Sequence, residues 1–215
     1  MPINATDLRV NYTLDELLES QAPDEPMSLF EAWFKAAQES DTPEPNAMVV
    51  ATVQSDGMPA ARVVLLKEVN KDGFVFYSNY ESRKGQELAE NPKAAVVFNW
   101  LELQRQVRIE GRVEKLSVEK STAYFHSRPL KSQLGAIASP QSKEIPNREP
   151  LESRMSELLE AYSDKEQAPK PEHWGGYIVI PQLIEFWQGR QSRLHDRLVY
   201  TRAGDGTWNR VRLAP

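Results

Sequence analysis

The sequence predicts a mainly β protein of the α+β class, an antiparallel sheet closed as a barrel with flanking helices. Three observations predict it. Short runs of β-branched and aromatic residues follow one another through the middle and the C-terminal end of the chain, Gly-bearing turns separate them, and capped amphipathic segments punctuate the series. At 215 residues the chain can bury a sizeable core and fits one domain better than two.

Taken in order, TLDE (13–16) and SLFE (28–31) have the form of capping boxes, and the second opens a helix with Leu29, Trp33, Ala36 and Ala37 on its buried face. AMVVATV (47–53), RVVLLKEV (62–69) and GFVFYSN (73–79) are strands joined through SDG and KDG, where Gly supplies the positive φ of a hairpin turn. SRKGQELAEN is helical. AAVVFNW (94–100) and RQVRIEGRVEKL (105–116) continue the sheet, and in the latter Val107, Ile109 and Val113 keep one parity. SVEKSTAYFHS and LESRMSELLEAY are further helices, and GGYIVI, IEFWQ and RLVYTRAGDGTWNRVRL supply the last strands. The Pro-bearing stretches 20–27, 140–150 and 164–173 are loops, and no internal repeat is present.

Composition narrows the function classes. Lys and Arg number 26 against 31 Asp and Glu, a net charge of −5, which argues against nucleic acid held by bulk electrostatics. Any bound anion must be held locally. The chain has no cysteine, so disulfides, thiolate catalysis and cysteine metal clusters are excluded. The first residues lack the basic and apolar regions of a signal peptide, and no apolar run reaches the ~18 residues of a membrane span. The expectation is a soluble cytoplasmic protein without a membrane or nucleic-acid partner. The three His have no metal-ligand spacing, and His126 and His173 read as structural.

Two helix starts are electrostatically out of place. Ser82 is an N-cap candidate, yet Arg83 and Lys84 follow it in the first turn, where the macrodipole already places about half a positive charge. FHSRPLKSQLGA puts Arg128 and Lys131 just ahead of a short helix that Ser132 would cap. Each is either a solvated charge pair or a phosphate pocket built from free N–H groups, the dipole and cations. In an extended RVVLLK strand, Arg62 and Lys67 lie about 16 Å apart on opposite faces. They then serve two separate anionic groups, unless a strand distortion or a second subunit brings them together.

FWQGRQSRLHDR (186–197) adds a third basic cluster beside Phe186 and Trp187. As one strand it places Arg193, His195 and Arg197 on one face over about 13 Å, the scale of a small aromatic ligand. The bland alternative is a charged strand edge that deters pairing with other molecules, and an isolated Trp such as Trp187 is ordinarily core.

IEFWQGRQSRLHDR resembles the signature of the pyridoxine 5'-phosphate oxidase family, also called pyridoxamine-phosphate oxidases, and RVVLLK, SRKG, RQVRIEG, YFHSRPLKSQLGA and the final RLAP resemble that family in the same order. The resemblance runs from about residue 9 to the C-terminus. It implies an FMN-binding split β-barrel, a homodimer with FMN at the subunit interface, and oxidation of pyridoxine 5'-phosphate or pyridoxamine 5'-phosphate to pyridoxal 5'-phosphate, with O2 reoxidising the flavin to give H2O2. It implies a mobile N-terminal segment (1–25) and a single barrel domain (26–215). The flavin-binding residues it implies are Arg62, Val63, Val64, Leu65, Leu66, Lys67, Tyr77, Ser78, Arg83, Lys84, Gln106, Gln141, Ser142, Trp187 and Arg197. The substrate-binding residues are Arg9, Tyr12, Lys67, Tyr124, Arg128, Ser132, Arg193 and His195, with Arg193 and His195 nearest the chemistry. Arg190 receives no role.

Two phosphate-bearing ligands would answer the two-anion question. Flavin accepts hydride at N5, so the protein's task is to position the substrate and stabilise charge on the reduced ring. His195 would accept the substrate's proton or only hydrogen-bond to it. A non-enzymatic FMN or pyridoxal-phosphate carrier on the same barrel is the alternative, and a single-stranded nucleic-acid barrel is a third reading that the acidic balance disfavours.

Overall fold

Alternating burial selects the strands in the computed structural model, which describes residues 11–215. The elements are α1 (Pro26–Glu39), β1 (Ala47–Val53), β2 (Pro59–Leu65), β3 (Glu68–Asn70), β4 (Gly73–Asn79), α2 (Arg83–Glu90), β5 (Lys93–Trp100), β6 (Arg105–Lys115), α3 (Val118–Ser127), α4 (Leu130–Ala138), α5 (Glu149–Ala161), β7 (Trp174–Gln188), β8 (Asp196–Arg202) and β9 (Trp208–Arg212). The strands hydrogen-bond in the order β2-β1-β5-β6-β7-β4-β3, with β8 on β7 and β9 on β8. The ladder ends at β2 and β3, as a split arrangement requires and a closed one does not.

GGYIVI and IEFWQ form one strand rather than two. β7 runs through Pro181, its first half pairing antiparallel with β4 (Phe74↔Val179, Tyr77↔Gly176) and its second with β8 (Phe186↔Leu198). Of the two turn glycines marked by SDG and KDG, Gly57 has a φ of +87°, which a side chain resists, whereas Gly73 has a φ of +154° and a Cβ there would stand 2.1 Å from the Val179 carbonyl oxygen.

Contacts divide the chain into two compact units. One comprises 11–49 of the described residues with Ala95–Glu110 and Pro181–Pro215. Its core is aromatic: Phe30 packs on Phe98 at 5.1 Å between ring centroids, Trp33 on Phe186 at 5.3 Å, and Phe186 on Tyr200 at 5.7 Å. Each such buried ring contributes about 1.5–3 kcal/mol by leaving water. The other unit comprises Val50–Ala94 and Gly111–Ile180. Phe74, Val75, Phe76, Tyr177 and Val179 fill its sheet, and α4 and α5 close a smaller cluster of Leu134, Leu158 and Ala168.

Three local expectations are corrected. α1 begins at Pro26, so Ser28 lies inside the first turn and caps nothing; Pro at that position already fixes a helical φ and has no N–H to satisfy. TLDE forms neither a capping box nor a helix: the two N–H groups that the box would satisfy go elsewhere, Thr13 N–H to Gln104 Oε1 (3.0 Å) and Glu16 N–H to Asp15 Oδ1 (2.8 Å). α4 begins at Leu130, leaving Ser132 within it rather than at its cap. By contrast Ser82 does cap α2, its Oγ accepting from Gly85 N–H at 3.3 Å and donating to Asn79 O at 2.7 Å.

The first turn of α2 is pressed against the chain that leads into it, since a Cβ on Gly85 would stand 2.1 Å from the Tyr80 carbonyl oxygen. Gly85→Ala is therefore expected to lower the unfolding free energy by about 1–3 kcal/mol, the usual cost of forced overpacking, in urea denaturation with an unchanged m value. Wild-type stability would show that the turn yields freely.

Candidate active site

Capping by Ser82 aims Lys84 into a cavity of about 480 Å³ in the second unit. Lys84 Nζ donates to Ser78 Oγ (3.0 Å), Ser82 Oγ (3.3 Å) and Gln141 Oε1 (2.9 Å), all neutral. Burial, then the neighbouring Arg62, hold its pKa below the usual lysine value, with Glu87 opposing. Arg62 lines the same cavity while donating to Val50 O (3.2 Å), Thr52 Oγ1 and Glu87 Oε2 (3.0 Å). Glu87 is 5% exposed and also accepts from Thr52 and from Arg83 Nε (3.0 Å). Burial alone would raise its pKa, but the hydrogen bonds from Thr52, Arg83 and Arg62 outweigh that and hold the carboxyl below its usual range. The buried carboxylate of Glu87 is thus committed to two guanidiniums, and among the described residues Lys84 is left to a neutral shell.

Opposite stands a wall of stacked rings. Tyr77 and Tyr124 stack at 3.8 Å between centroids, and Trp174 lies 5.4 Å from Tyr77 and within 14° of parallel to it. Burial, then the charge of Glu68, push the Tyr77 phenol up to about 12, so it is neutral near pH 7. The Arg128 guanidinium sits 4.9 Å from the Trp174 ring centroid and donates through Nη2 to Ser132 O at 2.7 Å. Its Nη1 is buried without a partner. Burial lowers the Arg128 pKa as well. A buried donor left unmade costs about 1–3 kcal/mol and more when charged, so this atom calls for an acceptor carried by a ligand. Among the described residues none of Lys67, Lys84 and Arg128 stands in an ion pair.

The other unit carries a second cluster. Trp187 and His195 rings lie 4.6 Å apart, and Tyr12 packs edge-on against both, 5.8 Å from Trp187 and 5.7 Å from His195. Gln106 lines a cavity of about 260 Å³ with Tyr12, Gln104, Arg105 and Trp187. His195 Nδ1 accepts the Arg190 backbone N–H at 3.0 Å, so the neutral ring carries its proton on Nε2. Burial, then the charge of Arg193, lower its pKa against a smaller opposing effect of Asp196. Arg197 is clamped by buried Glu185 through Nε (2.9 Å) and Nη2 (3.1 Å), with Arg108 on the same carboxylate at 3.2 Å. Arg190 bridges Glu16 and Asp196 at 3.1 Å each, which gives it a structural task the sequence did not reveal.

The cavity of the second unit gathers Arg62, Val63, Val64, Leu65, Lys67, Tyr77, Ser78, Lys84, Gln141, Tyr124 and Arg128. Leu66 turns into the core instead, at 5% exposure. Arg62 and Lys67 share this cavity because the strand breaks: β2 stops at Leu65 and β3 starts at Glu68, while Lys67 N–H bonds Val75 O at 2.8 Å. The strand distortion named among the alternatives for that pair is thus present, and it brings both residues to one cavity. Arg83 points to Glu87, Ser142 is exposed beside Gln141, and Ser132 offers its carbonyl to Arg128. Tyr12, Gln106, Trp187, Arg193, His195 and Arg197 belong to the first unit, and Arg9 lies outside the described residues. The single-face reading of Arg193, His195 and Arg197 is corrected. Gln191–Arg193 is one 3-10 turn with left-handed φ at Ser192 (56°) and Arg193 (62°), so the alternation of an extended strand starts only at Asp196. Sequence reasoning missed Trp174, Glu87 and Glu185; Trp174 after a Pro-rich loop and Glu87 in a polar stretch carry no local signal, whereas Glu185, a lone carboxylate between Ile184 and Phe186 in an apolar strand, is the one whose need for a cationic partner the sequence could have shown.

A family model described as pyridoxamine 5'-phosphate oxidase matches residues 34–161, and one described as the pyridoxine 5'-phosphate oxidase C-terminal dimerisation region matches 174–215. The chain belongs to the pyridoxamine 5'-phosphate oxidase family. Similar members, each named pyridoxine/pyridoxamine 5'-phosphate oxidase, include that of Microcystis aeruginosa, 56% identical over all of both chains, and that of Thermosynechococcus vestitus, 58% identical over 97% of this chain and 98% of the other. As a member of this oxidase family the chain is an oxidoreductase. Among solved structures, PhzG from Burkholderia lata 383 in complex with tetrahydrophenazine-1-carboxylic acid has a TM-score of 0.88 at 32% identity, covering 94% of this chain and 99% of that one. A pyridoxamine 5'-phosphate oxidase-related, FMN-binding protein from Nostoc punctiforme shares the fold at a TM-score of 0.70 and 15% identity, covering 91% and 99%. The split-barrel fold class follows. Among the described residues no helix is long and apolar enough to cross a membrane, and no group of His, Asp or Glu is arranged to hold a metal ion.

Because its ring is held neutral, His195 is expected to titrate below the ordinary His value of about 6.5 in an NMR pH titration, with the Nε2–H tautomer above that midpoint. Its folded pKa is the lower one, so its contribution to stability is present above about pH 6.5 and declines as pH falls from there toward the folded value. A midpoint above 6.5 would contradict this geometry.

Proposed function

We propose that the chain binds FMN and oxidises pyridoxine 5'-phosphate and pyridoxamine 5'-phosphate to pyridoxal 5'-phosphate, passing electrons to O2 as H2O2. The observation that carries the reading is the cavity of Arg62, Lys67, Lys84 and Arg128, beside which the buried carboxylate of Glu87 is already spent on two guanidiniums and in which Arg128 Nη1 has no partner among the described residues. Such a donor set fits phosphate monoesters, and an acidic protein would not otherwise concentrate cations there. Relatives sharing more than half the sequence and named as this oxidase support the substrate class.

Ser78, Arg83, Lys84, Gln141 and Ser142, with Arg62 and the adjoining backbone to Lys67, would hold the flavin, and Gln106, Trp187 and Arg197 belong to the same assignment. When bound, FMN supplies the hydride acceptor. Lys67, Tyr124, Arg128 and Ser132 would take the substrate phosphate. Tyr12, Arg193 and His195 would orient the pyridine ring and the reacting substituent, and Arg9 completes the substrate set. With Nδ1 occupied by the Arg190 N–H, His195 acts as a hydrogen-bond donor through Nε2. The match of residues 174–215 to a dimerisation region supports a homodimer as the binding unit.

Purified protein reconstituted with FMN should form pyridoxal 5'-phosphate and peroxide from each phosphorylated substrate in air; no turnover of either would sink the reading. Arg128→Ala should cost about 1.5–3 kcal/mol, roughly ten- to a hundredfold in kcat/KM, with FMN affinity unchanged. Loss of FMN with normal substrate kinetics would exchange the two phosphate assignments. Arg193→Lys should keep the fold and the flavin yet lose more than about tenfold in kcat/KM, because an ammonium reproduces the charge of a guanidinium but neither its plane nor its fork.

A further inference from the structure

Gly135 has no conformational reason to be glycine. It lies inside α4 without a left-handed φ, and a Cβ built on it would meet nothing within 4 Å. A glycine within a helix is less favourable than alanine, since it loses more backbone freedom on folding. The folded chain therefore carries a local cost at this position without drawing a packing benefit from it.

The position faces the cation-lined cavity. Gly135, Ala136 and Ser139 line it, and Ser132 is on the same helical face by spacing. The other face of α4 carries Leu130, Leu134 and Ile137, packed with Leu158 of α5. One side of the helix is filled with large apolar chains and the other kept bare. Across that bare side stand Lys84 and Arg128, and Arg128 anchors Nη2 on the Ser132 carbonyl of this face while Nη1 stays unpartnered.

We infer that Gly135 is a specificity-determining residue: it keeps the α4 backbone clear so that the phosphate end of the substrate can reach Arg128. This rests on the oxidase reading above. The space is reserved for a ligand rather than a protein segment because three cations that line it, Lys67, Lys84 and Arg128, stand in no ion pair among the described residues, and an apolar or cationic chain would leave them so.

The test compares wild type, Gly135→Ala and Gly135→Leu as FMN-loaded proteins, by thermal unfolding without substrate, flavin titration of the apoprotein, and equilibrium binding of pyridoxal 5'-phosphate. Gly135→Ala should raise Tm by about 2–4 °C, from helix propensity alone, and weaken pyridoxal 5'-phosphate about tenfold. Gly135→Leu should weaken it more than about a hundredfold, with FMN affinity within about twofold of wild type in both. Unchanged pyridoxal 5'-phosphate affinity in the Ala variant overturns the inference, and so does a loss of FMN, or of the dimer, in place of the product. If wild type itself binds no pyridoxal 5'-phosphate, the functional reading has failed first, an outcome distinct from a variant that matches a binding wild type.

Discussion

The second unit is organised around the placement of one buried carboxylate. Glu87 accepts from Thr52, Arg62 and Arg83, which commits this buried carboxylate to two guanidiniums, one of them lining the cavity, and leaves it unavailable to Lys84. Removing Glu87 would leave Arg62 half-buried and unpaired, the expensive side of a buried ion pair. With it in place Lys84 is oriented by Ser78, Ser82 and Gln141 yet electrostatically unanswered. A chain with a net charge of −5 thus presents a local positive field, and this local excess, not net charge, decides what it can bind.

The same design recurs in the first unit with a different purpose. Glu185 holds Arg197 and Arg108, and Asp196 holds Arg190 and Arg212 while its Oδ2 also accepts the Leu17 N–H. There Asp196, with Glu16 on the same Arg190, ties the N-terminal segment to the basic stretch before β8, while Glu185 ties β8 to β6. Tyr12 is thereby kept against Trp187 and His195. Arg190 illustrates the division: it supplies a backbone N–H that fixes the His195 tautomer and a side chain that spans Glu16 and Asp196, so its part is positioning.

Much of this was legible in the sequence because it is local. β-branched runs, the Gly57 turn and the Ser82 cap depend on neighbours in the chain, and of the two cations after that cap Arg83 meets its partner, Glu87, within the same helix. What failed was also physical. SLFE has the form of a cap, but Pro26 starts the helix two residues earlier, and in TLDE the Thr13 N–H is taken by Gln104, some ninety residues on. The two left-handed residues Ser192 and Arg193 are not glycines, so nothing local warned that the strand pattern stops there. Glu87, Glu185 and Trp174 matter only through partners brought by tertiary structure, which periodicity does not encode.

Lys84 stands in no ion pair among the described residues, and the proposed flavin phosphate would be its counter-ion. The most direct measurement is the equilibrium affinity of the apoprotein for FMN, followed by flavin fluorescence, in wild type and Lys84→Met. A charge-assisted hydrogen bond to phosphate is worth about 1.5–3 kcal/mol, so the account predicts a loss of roughly ten- to a hundredfold with the fold intact. Equal affinity in the two proteins would contradict it.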